Sequence, residues 1–151
     1  MRDVADIAHV TGRRLNVAGI EEKATDIQDV EEGASHYILA RAMDKALADV
    51  KAQCARYVTT GRVMDNNQLA CPEGDYVLTL DMPGSWNIGV MTDLTNTAHD
   101  YVTCICVHDL FGKINPNDAP SYLVRAQDDL TRIKELLECR TRPVRTSLNL
   151  Y

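Results

Sequence analysis

The most regular alternation of apolar and polar positions lies between Asp93 and Cys139, in two arms separated by the loop from Gly112 to Asp118. In the first arm Leu94, Ala98, Tyr101, Val102, Ile105 and Phe111 recur at helical spacing; in the second, Leu123, Ala126, Leu130, Ile133 and Leu137 do so more evenly. Steps of three and four place such side chains on one helix face, and that face must be buried against another element. The first arm opens at Thr92 or Asp93 and runs to about Phe111, with Gly112 placed as its C′ residue. Asp118 is positioned to cap the second arm. Pro120 falls in its first turn, where a missing N–H costs little.

Upstream, Ser35 to Val58 carries a further stripe: Ile38, Ala42, Ala46 or Leu47, Val50, Cys54, and Tyr57 or Val58. Ser35 is a suitable N-cap, and Thr59-Thr60-Gly61 ends the pattern. A short helix over residues 3–10, with Val4, Ile7 and Ala8 on one face, closes near Thr11-Gly12 and leads into a loop from Arg13 to Gly19. Residues 20–33 hold only Ile27 and Val30 as an apolar pair, which suits either a few turns of surface helix or a connector.

The stretch from Arg62 to Met91 breaks the helical period. Met64 to Gly74 is rich in turn residues. Tyr76-Val77-Leu78-Thr79-Leu80 is a β-preferring run, Asp81 to Ser85 turns, and Trp86 to Met91 is the expected returning strand. The predicted fold is mainly α: a small helical bundle with a β-hairpin or extended arm inserted between helices. One domain spans residues 1–140, with the arm at 62–92, and residues 141–151 form a tail. An isolated hairpin is marginal unless it packs on helices or on another subunit, so the arm is a candidate contact element.

Length and composition fit this picture. A chain of 151 residues can bury a sizeable core. With six Tyr, one Phe and one Trp, that core is built mostly of Leu, Ile, Val and Ala. The net charge of −6 argues against a general nucleic-acid binder, which would present a basic face. The charge is uneven: Glu21 to Glu32 holds six acids and one Lys, whereas Arg140, Arg142 and Arg145 fall in a terminus without acids. No apolar run is long enough to span a membrane, and the first residues lack the pattern of a secretory signal. The five cysteines, Cys54, Cys71, Cys104, Cys106 and Cys139, follow no disulfide framework and read as reduced thiols, several of them packed in the core.

Few groups are spaced for chemistry. Cys104 and His108 lie four apart, but a structural zinc needs four ligands. Cys104 and Cys106 diverge on a helix, and Cys-x-Cys is not the Cys-x-x-Cys of a redox or zinc motif. The doublets His99-Asp100 and His108-Asp109 invite comparison with metal-dependent helical phosphohydrolases of the His-Asp type. In that alternative His36, His99, Asp100 and Asp128 or Asp129 supply the ligands. No Gly-rich phosphate loop, His-Glu-x-x-His or nucleophile elbow occurs in the sequence. A helix-turn-helix has one candidate helix, Asp3 to Leu15, and no partner for it.

The order of elements resembles the head–tail connector (adaptor) proteins of tailed bacteriophages and prophages. The resemblance rests on the long amphipathic helix Ala46 to Val58, the non-helical middle, the helix around Leu94 to Val102, and the tyrosine-bearing closing helix Ser121 to Leu130. It covers about residues 35–140. It implies a non-enzymatic subunit without cofactors that self-associates into a ring between portal and tail proteins. Such a subunit would pass from the host cytoplasm to the neck of the virion, with neither membrane association nor sequence-specific nucleic-acid binding. Contacts would fall on the closing helix at Tyr122, Arg125, Asp128 and Asp129 and on the arm from Tyr76 to Met91. The candidate interaction residues are Tyr76, Trp86, Tyr122, Arg125, Arg140, Arg142 and Arg145. The acidic segment Glu21 to Glu32 and the cysteine content depart from the family pattern.

Overall fold

The computed structural model describes residues 2–17, 34–58, 78–114 and 116–141. They form four helices: α1 (Arg2–Val17), α2 (Ala34–Gln53), α3 (Met91–Ile114) and α4 (Ala119–Glu138), with a 3-10 turn at Ile88–Val90 immediately before α3. Helix α3 is the centre of the bundle; α1, α2 and α4 all pack on it.

The apolar stripes meet in two clusters. In the first, Val4 and Ala8 of α1 join Leu39 and Ala42 of α2, Cys106, Val107, Leu110 and Phe111 of α3, and Ala119 of α4. In the second, Ala46, Val50 and Cys54 join Trp86, Leu94, Tyr101, Ile105, Ala126, Ile133, Leu136 and Leu137. Early α2 and early α4 therefore lie beside late α3, so both helices run antiparallel to it. Val102 packs against both clusters and marks their junction. No buried side-chain nitrogen or oxygen among the described residues lacks a hydrogen-bond partner.

Several boundaries differ from the sequence expectation. Helix α1 continues through Gly12 to Val17; one glycine costs a helix only about 1 kcal/mol relative to alanine, and Arg13, Arg14 and Leu15 favour continuation. Helix α2 stops at Gln53 rather than near Val58, because the Tyr57 and Val58 N–H groups both donate to the Cys54 carbonyl and tighten the chain into a turn. Helix α3 runs through Gly112 to Ile114, so Gly112 does not terminate it. At α4, Asp118 has helical backbone angles and its side chain makes no capping hydrogen bond. Instead the Ser121 hydroxyl donates back to the Asp118 carbonyl at 2.7 Å.

The expected β-hairpin is replaced by something else. Among the described residues there is no sheet, only single antiparallel bridges pairing Val58 with Leu80 and Trp86 with Arg140. The expected second strand, Trp86 to Met91, instead enters a 3-10 turn. Asn87 causes this: its side-chain oxygen accepts the Gly89 N–H at 3.1 Å, and its carbonyl accepts the Val90 N–H at 3.1 Å. A Cβ at position 89 would sit 3.1 Å from that same Asn87 oxygen, so the glycine allows the close approach. Tyr76 and the expected loop from Met64 to Gly74 lie outside the described residues, as do residues 18–33 and 142–151.

Candidate functional site

Among the described residues, the most densely bonded non-helical part is the end where residues 83–87 meet residues 136–141. The Trp86 N–H donates to the Pro83 carbonyl at 2.8 Å, the Asn87 N–H to the Cys139 carbonyl at 3.1 Å, and the Thr141 N–H to the Ser85 carbonyl at 2.9 Å. A helix C-terminus leaves carbonyls without intrahelical partners. Here the Trp86 indole N–H donates to the Leu136 carbonyl at 2.9 Å, and the Arg140 guanidinium donates to the Leu137 carbonyl at 3.0 Å. Arg140 also reaches the Tyr57 hydroxyl at 3.3 Å, tying the end of α2 to the end of α4. This clasp holds the turn that follows it, on which Ile88 is 78% exposed and Met91 51% exposed.

At the other end of α3, Tyr122 is half-buried against Phe111, their rings edge-to-face at 5.7 Å. The Arg125 guanidinium lies 5.8 Å from the centre of the Tyr122 ring. Leu123 and Val124 beside them are exposed, and so is Tyr37 near the start of α2.

The residues expected to contact partners thus separate. Trp86 is buried and Arg140 has two partners within the chain, so both serve the fold. Tyr122 is largely internal, and Arg125 stands exposed above it. Tyr76, Arg142 and Arg145 lie outside the described residues. The exposed Ile88 was not singled out from sequence because it sits in a run expected to form a strand. The Asn-x-Gly at 87–89 was the available signal for a turn.

The residues considered for metal or thiol chemistry are also placed. His99 pairs with Asp3 of α1 at 3.3 Å and lies 4.0 Å from Asp100, while His108 pairs with Asp109 at 3.0 Å. The His36 side chain lies outside the described residues. Among the described residues no group of three or more His, Cys, Asp or Glu side chains is arranged to hold a metal ion. Cys54, Cys104, Cys106 and Cys139 are free thiols. Burial pushes the Cys106 thiol up to about 11 and raises Cys54. At Cys104 burial, and then the neighbouring Asp129, act in the same direction. Raised thiols are poor nucleophiles at neutral pH, consistent with packing roles. Cys104 and Cys106 do diverge: Cys106 joins the first cluster, and Cys104 lies against the second.

Charge is sorted on this surface. Asp100, Asp128 and Asp129 lie close enough for the first two carboxylates to add to burial in raising the Asp129 carboxyl, with Arg125 opposing. On α2, Arg41, Lys45 and Lys51 are exposed, as is Arg56 in the turn that follows. No helix of the described residues is long and apolar enough to cross a membrane.

No family model, curated protein or solved structure matches this chain.

Proposed function

We propose that this chain is a structural assembly subunit of the head–tail connector type, from a phage or prophage, with a non-catalytic role. The observation that carries this reading is the turn at Ile88–Met91. A tight turn pinned by the clasp presents two large aliphatic side chains to solvent. An element ordered before binding loses less entropy when it docks, which suits a fixed contact point. A second exposed apolar group, Leu123 and Val124, lies in the second turn of α4, next to the Phe111 end of α3. The two are separated by most of α3, about 30 Å for 20 residues at 1.5 Å each. A subunit that touches neighbours on two sides needs contacts at separate places. The described end of the segment joining α2 to α3 then acts as a contact element through Ile88 rather than through Trp86. Portal and tail proteins are the partners in this reading, and the neck of the virion is the final location.

The test is the gene neighbourhood. Portal, capsid and tail genes beside this one support the reading, and a metabolic operon overturns it. Nothing in the described geometry favours the His-Asp phosphohydrolase alternative, and metal analysis of the purified full chain checks it directly.

A further inference from the structure

Helix α2 buries Leu39, Ala42, Ala46 and Val50 and turns its opposite side to solvent. On that side Arg41, Lys45 and Lys51 are exposed, with Arg56 in the turn that follows, and Asp44 is the one acid among them. None of the four bases makes an ion pair among the described residues. Between them stand Ala48, Ala52 and Ala55, also exposed, and Tyr37, one turn before Arg41, is the large exposed side chain at the edge of this face. In a chain of net charge −6, a helix face with these bases, one acid and no ion pair to the bases among the described residues is a local reversal of sign.

Its complement lies on a different face of the same molecule. Asp3 of α1, Asp100 of α3, and Asp128 and Asp129 of α4 gather around the exposed His99 side of the bundle. Asp3, Asp100 and Asp128 are exposed. These carboxylates come from three helices, and Arg125 is the nearby base.

We infer that the basic face of α2 docks on the Asp3–Asp100–Asp128 face of a second copy of this chain. The inference rests on the connector reading and specifies the self-contact that reading requires. Two unlike faces of one chain make a heterologous contact, which propagates into a ring where the rotation closes and into a filament where it does not. Opposed charges of this kind steer encounter and fix register more than they supply affinity, and exposed ion pairs contribute little individually. The contact is therefore weak between two free subunits and gains from many repeats in a closed assembly. A basic helix face can also bind nucleic acid; Asp44 within the face and the acidic surface elsewhere favour a protein partner.

The test uses the full chain in sedimentation velocity and native mass spectrometry, at low salt and at about 1 M salt, where screening acts within about 3 Å. The wild type is expected to associate at low salt and dissociate at high salt. R41E/K45E and D100K/D128K are each expected to lose association by more than about tenfold, and an equimolar mixture of the two to recover it as a mixed species. Circular dichroism checks that each variant folds, and R41Q/K45Q replaces a variant that does not. Association that persists in R41E/K45E or R41Q/K45Q overturns the inference and leaves the connector reading intact. A wild type that stays monomeric at every concentration also overturns it, and the gene neighbourhood then decides the connector reading separately. Salt-sensitive binding to duplex DNA that R41E/K45E abolishes, without self-association, overturns it in favour of a nucleic-acid surface.

Discussion

The two ends of the bundle are closed by different physics. At the end formed by late α3, closure is apolar: Val4 and Ala8 of α1 cover Cys106, Val107, Leu110 and Phe111. At the opposite end Trp86 supplies apolar bulk, but the order comes from directed bonds between residues 83–87 and 136–141. Apolar burial is non-directional and tolerates small shifts, whereas hydrogen bonds to helix-end carbonyls fix distance and angle. The second end is therefore where a turn can be held rigidly with Ile88 outward. The comparison shows how a protein can concentrate precision at one end of a helical body without a sheet.

The largest expected effect comes from emptying the apolar end. Phe111 is fully buried, and Phe111→Ala should cost about 3–5 kcal/mol in urea unfolding. Trp86 is the only tryptophan and sits at the other end, so its native emission should stay close to wild type in the fraction that remains folded. A red-shifted native emission would mean that the ends are not separate.

Next in size, Trp86→Phe keeps a large aromatic but leaves the Leu136 carbonyl without its indole donor. A loss of about 1–3 kcal/mol is expected, followed by circular dichroism because the fluorophore is removed. A neutral result would show that the Cys139 N–H, 3.3 Å from the same carbonyl, is sufficient, and the clasp would then be weaker than its geometry suggests.

Tyr101 tests the middle, where α2 meets α3. Burial, then the hydrogen bond to Asp49 and its charge, push the phenol up to about 12 from an ordinary value of 10. The hydroxyl donates to the Asp49 carboxylate at 3.1 Å. Because the folded value is the higher one, the native state holds this proton while the unfolded chain releases it. The contribution is fully present below pH 10 and is lost between about pH 10 and 12. Tyr101→Phe should therefore flatten that part of the stability–pH curve, leaving the decline from about pH 9 to 11 that the Cys106 thiol contributes. An unchanged slope above pH 10 would contradict the assignment.

The smallest effect is expected for Asp3→Asn, which removes the pair with His99. Both side chains are more than half exposed, so screening limits the cost to about 0.2–1 kcal/mol. Val4→Asp, which places a charge in the apolar cluster, should be far worse. If the two are equal, α1 is held by the pair and not by its buried residues.

The helical plan was legible in sequence because it depends on local periodicity. The stripes at Leu94–Phe111, Ala126–Leu137 and Ala42–Cys54 repeat with the helix, and the residues that alternate with them are polar. The candidate contact residues were less legible. Trp86 and Arg140 looked like contact groups as an aromatic and a cation beside turns. Whether such a group points outward depends on partners 50 residues away for Trp86 and 83 away for the Arg140–Tyr57 bond. Local pattern cannot report that.

The sequence alone thus determined a mainly helical bundle, its principal faces and the packed character of Cys54 and Cys106, since burial follows from spacing and residue type. Tertiary structure decided how α4 ends and that the Trp86 indole turns inward onto the Leu136 carbonyl. It also brought Asp3, Asp100, Asp128 and Asp129 to one face while α2 carries the bases on another. These outcomes depend on distances between elements far apart in the chain, and only folding sets those distances.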